Sequence, residues 1–235
     1  MRRLCLPVLF ALALLASAGS ACSRVFWANN GRVVLAGRNM DWINSMPVDF
    51  YALPRGRAND AQTGPKALKW TSKYGSLVAG SPAGVVDGLN EKGLAGHMLW
   101  LGSSDFGTHD PAKPSLGVGH WLQYQLDNFA TVAEAVAHAR QNPYQVVPGT
   151  FDGLKSMVHL SLEDASGDSA IIEILKGSAT IHHGRQFTVM TNDPPFDQQL
   201  ANLKQFKPFG GAKPLPGTTD AADRFVRAAS YLAGL

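Results

Sequence analysis

Cys22 directly follows an apolar leader, and cleavage after Ala21 makes it a first residue that carries both a thiol and a free α-amine. An unperturbed α-amine titrates at about 7.7–8.0, so near neutral pH part of it is unprotonated and able to take the thiol proton. Nucleophile and base then sit in one residue, and acyl transfer needs no histidine. Further on, Gly37-Arg38-Asn39-Met40-Asp41-Trp42 sets a cation and an anion three positions apart. A guanidinium beside the thiol favours the thiolate, and a carboxylate beside the amine can accept its hydrogen and orient it. Taken alone, the same pair also reads as an ordinary ion pair at a strand end.

The leader consists of Arg2 and Arg3, an apolar run from Leu4 to Leu15, and small residues Gly19 and Ala21 at the cleavage positions. It is too short to span a bilayer, so residues 1–21 read as a signal peptide and the mature chain as a periplasmic or secreted bacterial protein without stable membrane insertion. Removing 21 residues from 235 leaves 214, a length that suits one domain over 22–235. The formal charge of +3 falls to +1 without Arg2 and Arg3, and no basic run marks a nucleic-acid surface. Cys5 leaves with the leader, so the mature protein carries one thiol in a compartment where thiols usually pair. Lipidation of Cys22 is a rival reading, in which a lipid-anchored protein without catalysis replaces the enzyme. It is disfavoured by Gly19, which stands where lipoprotein signals usually carry Leu.

The elements that must position these groups are short strands and segregated helices. Strand-like segments at Ser23–Asn29 and Arg32–Asn39 are joined by an Asn-Asn-Gly turn, so the segment opened by Cys22 lies antiparallel to the one that ends near Arg38 and Asp41. A second hairpin is predicted from Gly84–Leu89 and Leu94–Leu101, and Leu53–Gly80 reads as a long loop with one short strand near Ser76–Ala79. Helical periodicity covers Leu116–Phe129 and resumes after Thr131, which forms a capping-box pattern with Glu134. Met157–Leu162, Ala170–Leu175, Ala179–His182 and Phe187–Met190 read as a meander, and helices near Phe196–Phe206 and Asp220–Leu235 follow. Runs of strands with separate runs of helices predict an α+β fold with antiparallel sheets.

Five segments in this order resemble the choloylglycine hydrolase family: Cys22 after a leader, GRNMD at 37–41, DGLNEKGL at 87–94, TNDP at 191–194 and Arg224 in DRFVR. That family contains the penicillin V acylases and conjugated bile-salt hydrolases. The resemblance implies an N-terminal-nucleophile hydrolase, an αββα sandwich, with no cofactor and a small N-acyl amide as its partner. It makes Cys22 the nucleophile with Arg38 and Asp41 beside it, Asn192 the side-chain donor to the oxyanion, and Arg224 a second active-site arginine reaching back from the last helix. Homo-oligomers are common in the family, so one is possible here. Trp100 after Leu99 resembles the Gram-negative branch of the family, where Gram-positive-type bile-salt hydrolases carry Asn. An indole there offers a flat apolar wall for an aromatic or fatty-acyl group, which ranks penicillin V and N-acyl homoserine lactones above conjugated bile salts. Family members continue past the position matching Leu235, so the sandwich is expected to be incomplete at its C-terminus, with uncovered apolar surface. The histidines have no metal-ligand spacing, and no Gly-rich phosphate loop follows a strand, so neither a metal nor a nucleotide is expected.

Overall fold

In chain order the strands are β1 (Ser23–Trp27), β2 (Leu35–Asn39), β3 (Asp49–Leu53), β4 (Ala58–Asp60), β5 (Lys69–Thr71), β6 (Ser76–Ser81), β7 (Gly84–Asn90), β8 (Ala95–Trp100) and β9 (Ser115–Gly117). Helices α1 (Trp121–Asn128) and α2 (Val132–Arg140) follow. Then come β10 (Gln145–Val147), β11 (Thr150–Phe151), β12 (Leu154–Lys155), β13 (Val158–Glu163), β14 (Ser169–Leu175), β15 (Ser178–His183) and β16 (Val189–Thr191), before α3 (Phe196–Leu203) and α4 (Ala221–Ala233). This computed structural model describes residues 21–235 except 30, 43, 82, 83 and 152, so the expected leader lies outside the described residues apart from Ala21. No helix among the described residues is long and apolar enough to cross a membrane.

Two antiparallel sheets carry the fold: a small one in the order β16-β1-β2 and a seven-stranded one in the order β15-β14-β13-β8-β7-β6-β3. Strand alternation divides the apolar residues between two cores. Met98 and Ile172 pack with Leu122, Leu126 and Val132 under α1 and α2. Their neighbours Leu99 and Ile171 join Cys22, Val189, Met190, Phe196 and Phe225, toward α3 and α4. The layers therefore run helix, sheet, sheet, helix. On β1 the same alternation buries Arg24 and Phe26, in step with Cys22 just before the strand. Leu35, Phe50, Leu77 and Leu89 are exposed.

α1 lies close on the large sheet because Gly88 and Gly96, directly opposite each other on β7 and β8, offer no side chain there. A Cβ on Gly96 would stand 2.6 Å from Leu122 Cδ1 and 2.9 Å from the Ser161 carbonyl oxygen. The leucine can rotate, but the backbone oxygen cannot. Gly96→Ala is expected to cost about 1–3 kcal/mol, read as a lowered urea midpoint at unchanged m-value. An unchanged midpoint would contradict this packing.

Three predicted elements are corrected. The long loop at 53–80 holds two further strands, β4 and β5, and β3 precedes it. Most residues of these short strands are exposed, so the sequence carries no apolar alternation to reveal them. The helix predicted from Leu116 begins only at Trp121, because Ser115–Gly117 pairs in parallel with Gln145–Val147, a tertiary contact that overrides local periodicity. The predicted meander ends with β15, since β16 leaves the large sheet and pairs with β1.

Candidate active site

Cys22 enters the central strand of the small sheet, and both neighbouring strands deliver polar groups to it. Register places Ser23 opposite Asn39 on β2 and opposite Thr191 on β16, so residues 38–41 and Asn192 converge on the cysteine from two sides. Cys22 is 3 % exposed. Its Sγ lies 4.0 Å from Arg38 Nη2 and 3.8 Å from the Asp41 backbone oxygen. Arg38 is held in turn by the Met98 carbonyl, to which Nη2 donates at 2.9 Å, and by an ion pair with Asp87. The Asp41 carboxylate accepts from the Asn39 side-chain amide, which also donates to the Ala21 carbonyl at 2.8 Å, on the leader side of the expected cleavage point.

Asn192 and Arg224 form a second polar group on the opposite side. Asn192, 4 % exposed, donates from Nδ2 to the Trp100 carbonyl at 2.8 Å, and its Oδ1 accepts from Arg224 Nη2 at 2.9 Å. Arg224 reaches out of the first turn of α4 to donate to the Cys22 carbonyl at 3.0 Å and to Ser23 Oγ at 3.2 Å. One helix residue thus ties the Cys22 backbone to Asn192. Asp193, next in the chain, accepts from the Gly102 and Ser103 amides at 2.7 and 3.0 Å and latches the loop after β8 onto the loop after β16.

Over the thiol opens a narrow, mostly apolar cavity of about 90 Å³ bounded by Met40, Trp42, Met46, Val85, Trp100, Phe151 and Val158, with Cys22 and Arg38 at its polar end. Trp42 stacks obliquely on Trp100, with centroids 5.2 Å apart, and lies 6.1 Å from Phe151. The aromatic wall predicted at Trp100 is therefore a cluster of three rings. Trp42 and Phe151 escaped sequence reasoning because they come from loop and ribbon segments without periodicity.

All six residues singled out from the sequence gather within this region, but Asp41 does so differently from expectation, since its backbone oxygen faces the thiol while its carboxylate is engaged by Asn39. Sequence reasoning missed the charges behind the site. His97 Nδ1 and Asp87 Oδ1 are 2.7 Å apart, His97 Nε2 lies 2.6 Å from Glu163 Oε1, and Glu163 pairs with the fully buried Arg24. One signal was available, since Asp87 and His97 lie on the two strands of the predicted second hairpin, three residues before and four after its turn, although only the strand register puts them directly opposite each other.

Burial alone would lower the His97 pKa, but Glu163 and Asp87 outweigh it and raise it from 6.5 to about 9. Glu163 is likewise disfavoured by burial, yet Arg24 and His97 bring it down from 4.5 to about 2. The signs of the two contributions differ. His97 adds stability that is whole below pH 6.5 and lost as pH rises through about 9, and Glu163 adds stability present above pH 4.5 and lost as pH falls through about 2. Calorimetry across this range is expected to show the melting temperature falling between pH 6.5 and 9; His97→Gln should flatten that decline. A wild-type decline unaltered in the variant would remove His97 as its cause.

The family model of the linear amide C–N hydrolases, choloylglycine hydrolase family, matches residues 22–234. The chain is 42% identical to a penicillin V acylase from Pectobacterium atrosepticum, over 97% of this chain and 64% of that protein. It is 31% identical to a bile salt hydrolase/transferase from Clostridium perfringens, over 73% of this chain and 53% of that protein. Among solved structures, a penicillin V acylase from Agrobacterium tumefaciens superposes with a TM-score of 0.82 at 45% identity, covering 91% of this chain and 65% of that one. The chain thus spans less than two thirds of the length of these relatives.

Proposed function

Because the chain belongs to the linear amide C–N hydrolases of the choloylglycine hydrolase family, we propose that export processing after Ala21 exposes Cys22 and that the processed protein hydrolyses N-acyl amides through this residue. The α-amine takes the thiol proton, and Sγ attacks the amide carbonyl. Asn192, whose amide group already points toward the Trp100 carbonyl, turns a remaining N–H to the oxyanion. The α-ammonium protonates the departing amine, and water then attacks the thioester and releases the acid. Arg38 stands beside the sulfur, and Arg224 fixes both the Cys22 backbone and Asn192.

The observation that carries this reading is the Cys22 thiol beside Arg38 at the end of one mostly apolar cavity, with Arg224 tying the Cys22 carbonyl to Asn192 behind it. The Trp42–Trp100–Phe151 wall suits a flat aromatic or an extended fatty-acyl group. Phenoxyacetyl penicillins and N-acyl homoserine lactones therefore rank above conjugated bile acids as substrates, and the resemblance to penicillin V acylases supports the first of them. The test is intact mass of the exported protein, followed by hydrolysis assays with phenoxyacetyl, fatty-acyl and bile-acid amides. An unmodified N-terminal Cys22 and a thioester trapped on it are expected. A terminus elsewhere, a lipidated Cys22 or no hydrolysis by the processed protein would overturn the proposal.

A further inference from the structure

Behind the thiol, the two sheets face each other across a layer of charge. Arg24 and Arg38 are directly opposite one another on β1 and β2. Two guanidinium groups in that relation repel, so the pairing demands anions from the facing sheet. The large sheet supplies Asp87 from β7 and Glu163 from β13, with His97 of β8 between them. The order is continuous: Arg38 pairs with Asp87, Asp87 Oδ1 meets His97 Nδ1 at 2.7 Å, His97 Nε2 meets Glu163 Oε1 at 2.6 Å, and Glu163 Oε2 accepts from Arg24 Nε at 3.1 Å. The far end is anchored, since Arg24 also donates to Ser169 Oγ at 3.1 Å and to the Phe187 carbonyl at 3.0 Å. The near end is Arg38 Nη2, 4.0 Å from the Cys22 sulfur.

Nδ1 is hydrogen-bonded to Asp87, and Nε2 lies 2.6 Å from Glu163 Oε1 without the alignment of a hydrogen bond, so the ring is sandwiched between two carboxylates, a place that favours the imidazolium. A neutral ring would turn a lone pair toward one carboxylate and leave Asp87 and Glu163 repelling each other across it. We propose that His97 is a positioning residue for Cys22: as an imidazolium it holds the Asp87 carboxylate on Arg38, and through it the Arg38 guanidinium beside the thiol. The rise of the His97 pKa under the influence of Glu163 and Asp87 agrees with this geometry. The proposal rests on the reading of Cys22 as the reactive group, but not on any particular substrate.

The test therefore reads the thiol directly. Alkylation of Cys22 by iodoacetamide at pH 7 in the processed, full-length protein is expected to slow about tenfold in His97→Gln, because the thiolate is the species that reacts and a displaced Arg38 stabilises it less. An equal rate in a folded His97→Gln protein overturns the proposal. If that variant does not fold, wild-type protein decides: the alkylation rate between pH 6 and 10.5 should step where the His97 ring signal titrates in NMR, and the absence of a step at that pH overturns it. The two readings fail separately. A protein whose thiol reactivity depends on His97 but which cleaves no amide refutes the proposed function alone, whereas amide hydrolysis with alkylation indifferent to His97 refutes only the positioning role.

Discussion

Cys22→Ala is expected to reduce amide hydrolysis by about 10⁵-fold or more, the scale seen when the nucleophile of an acyl-transfer site is removed. The reason is that Cys22 is the one thiol among the residues lining the cavity, and the hydroxyls of Ser81 and Ser156 that also line it are far weaker nucleophiles at neutral pH. The substitution leaves the backbone contacts intact, because Arg224 holds the Cys22 carbonyl and not its side chain. Stability should therefore fall by only about 1 kcal/mol, the cost of a few lost contacts around a small buried group. Turnover of a phenoxyacetyl amide and a thermal melt, measured on the same preparation, check both halves. Retention of more than a hundredth of the activity in a folded Cys22→Ala protein would mean that the bond is broken elsewhere.

Asn192→Ala is expected to lower kcat by about 10²–10³-fold, the usual effect of losing one oxyanion donor. The fold feels the same substitution. The Asn192 side chain bridges the Trp100 carbonyl and the Arg224 guanidinium at a position 4 % exposed, so alanine removes a buried hydrogen bond from each of them. A stability loss of about 1–3 kcal/mol should accompany the kinetic one. Asn192→Asp separates the two effects, because it retains the acceptor for Arg224 and removes the donor. If Asn192→Asp recovers stability while kcat stays low, the donor role stands, but if it recovers turnover as well, Asn192 acts only as a bridge.

The two site strands show how far local pattern reaches. The Asn-Gly signal after β1 implies the antiparallel pairing that brings Arg38 and Asp41 to Cys22, but seven residues separate Trp27 from Leu35, so the exact register comes from the strands and not from a tight turn. The second hairpin and the amphipathic helices at 121–128 and 132–140 are legible because each repeats a pattern within its own length. Asn192 and Arg224 were identified only through resemblance to a family, since neither TNDP nor a lone helix arginine carries a local sign of where it will point. β3, β4 and β5 went unread because most of their residues are exposed, which leaves no contrast between faces.

The amino-acid sequence by itself determined the two hairpins, the helices after them and the α+β class, because turn chemistry and residue alternation act between near neighbours. Only the tertiary structure decided that β16 joins β1 instead of extending the meander, that Trp42, Trp100 and Phe151 share one wall, and that Arg38, Asp87, His97, Glu163 and Arg24 alternate in charge between the sheets. Contacts across the site join residues as many as 202 positions apart, as between Cys22 and Arg224. Their energies come from burial and from charge in a water-poor interior, and a side chain acquires such surroundings only once the sheets have packed face to face.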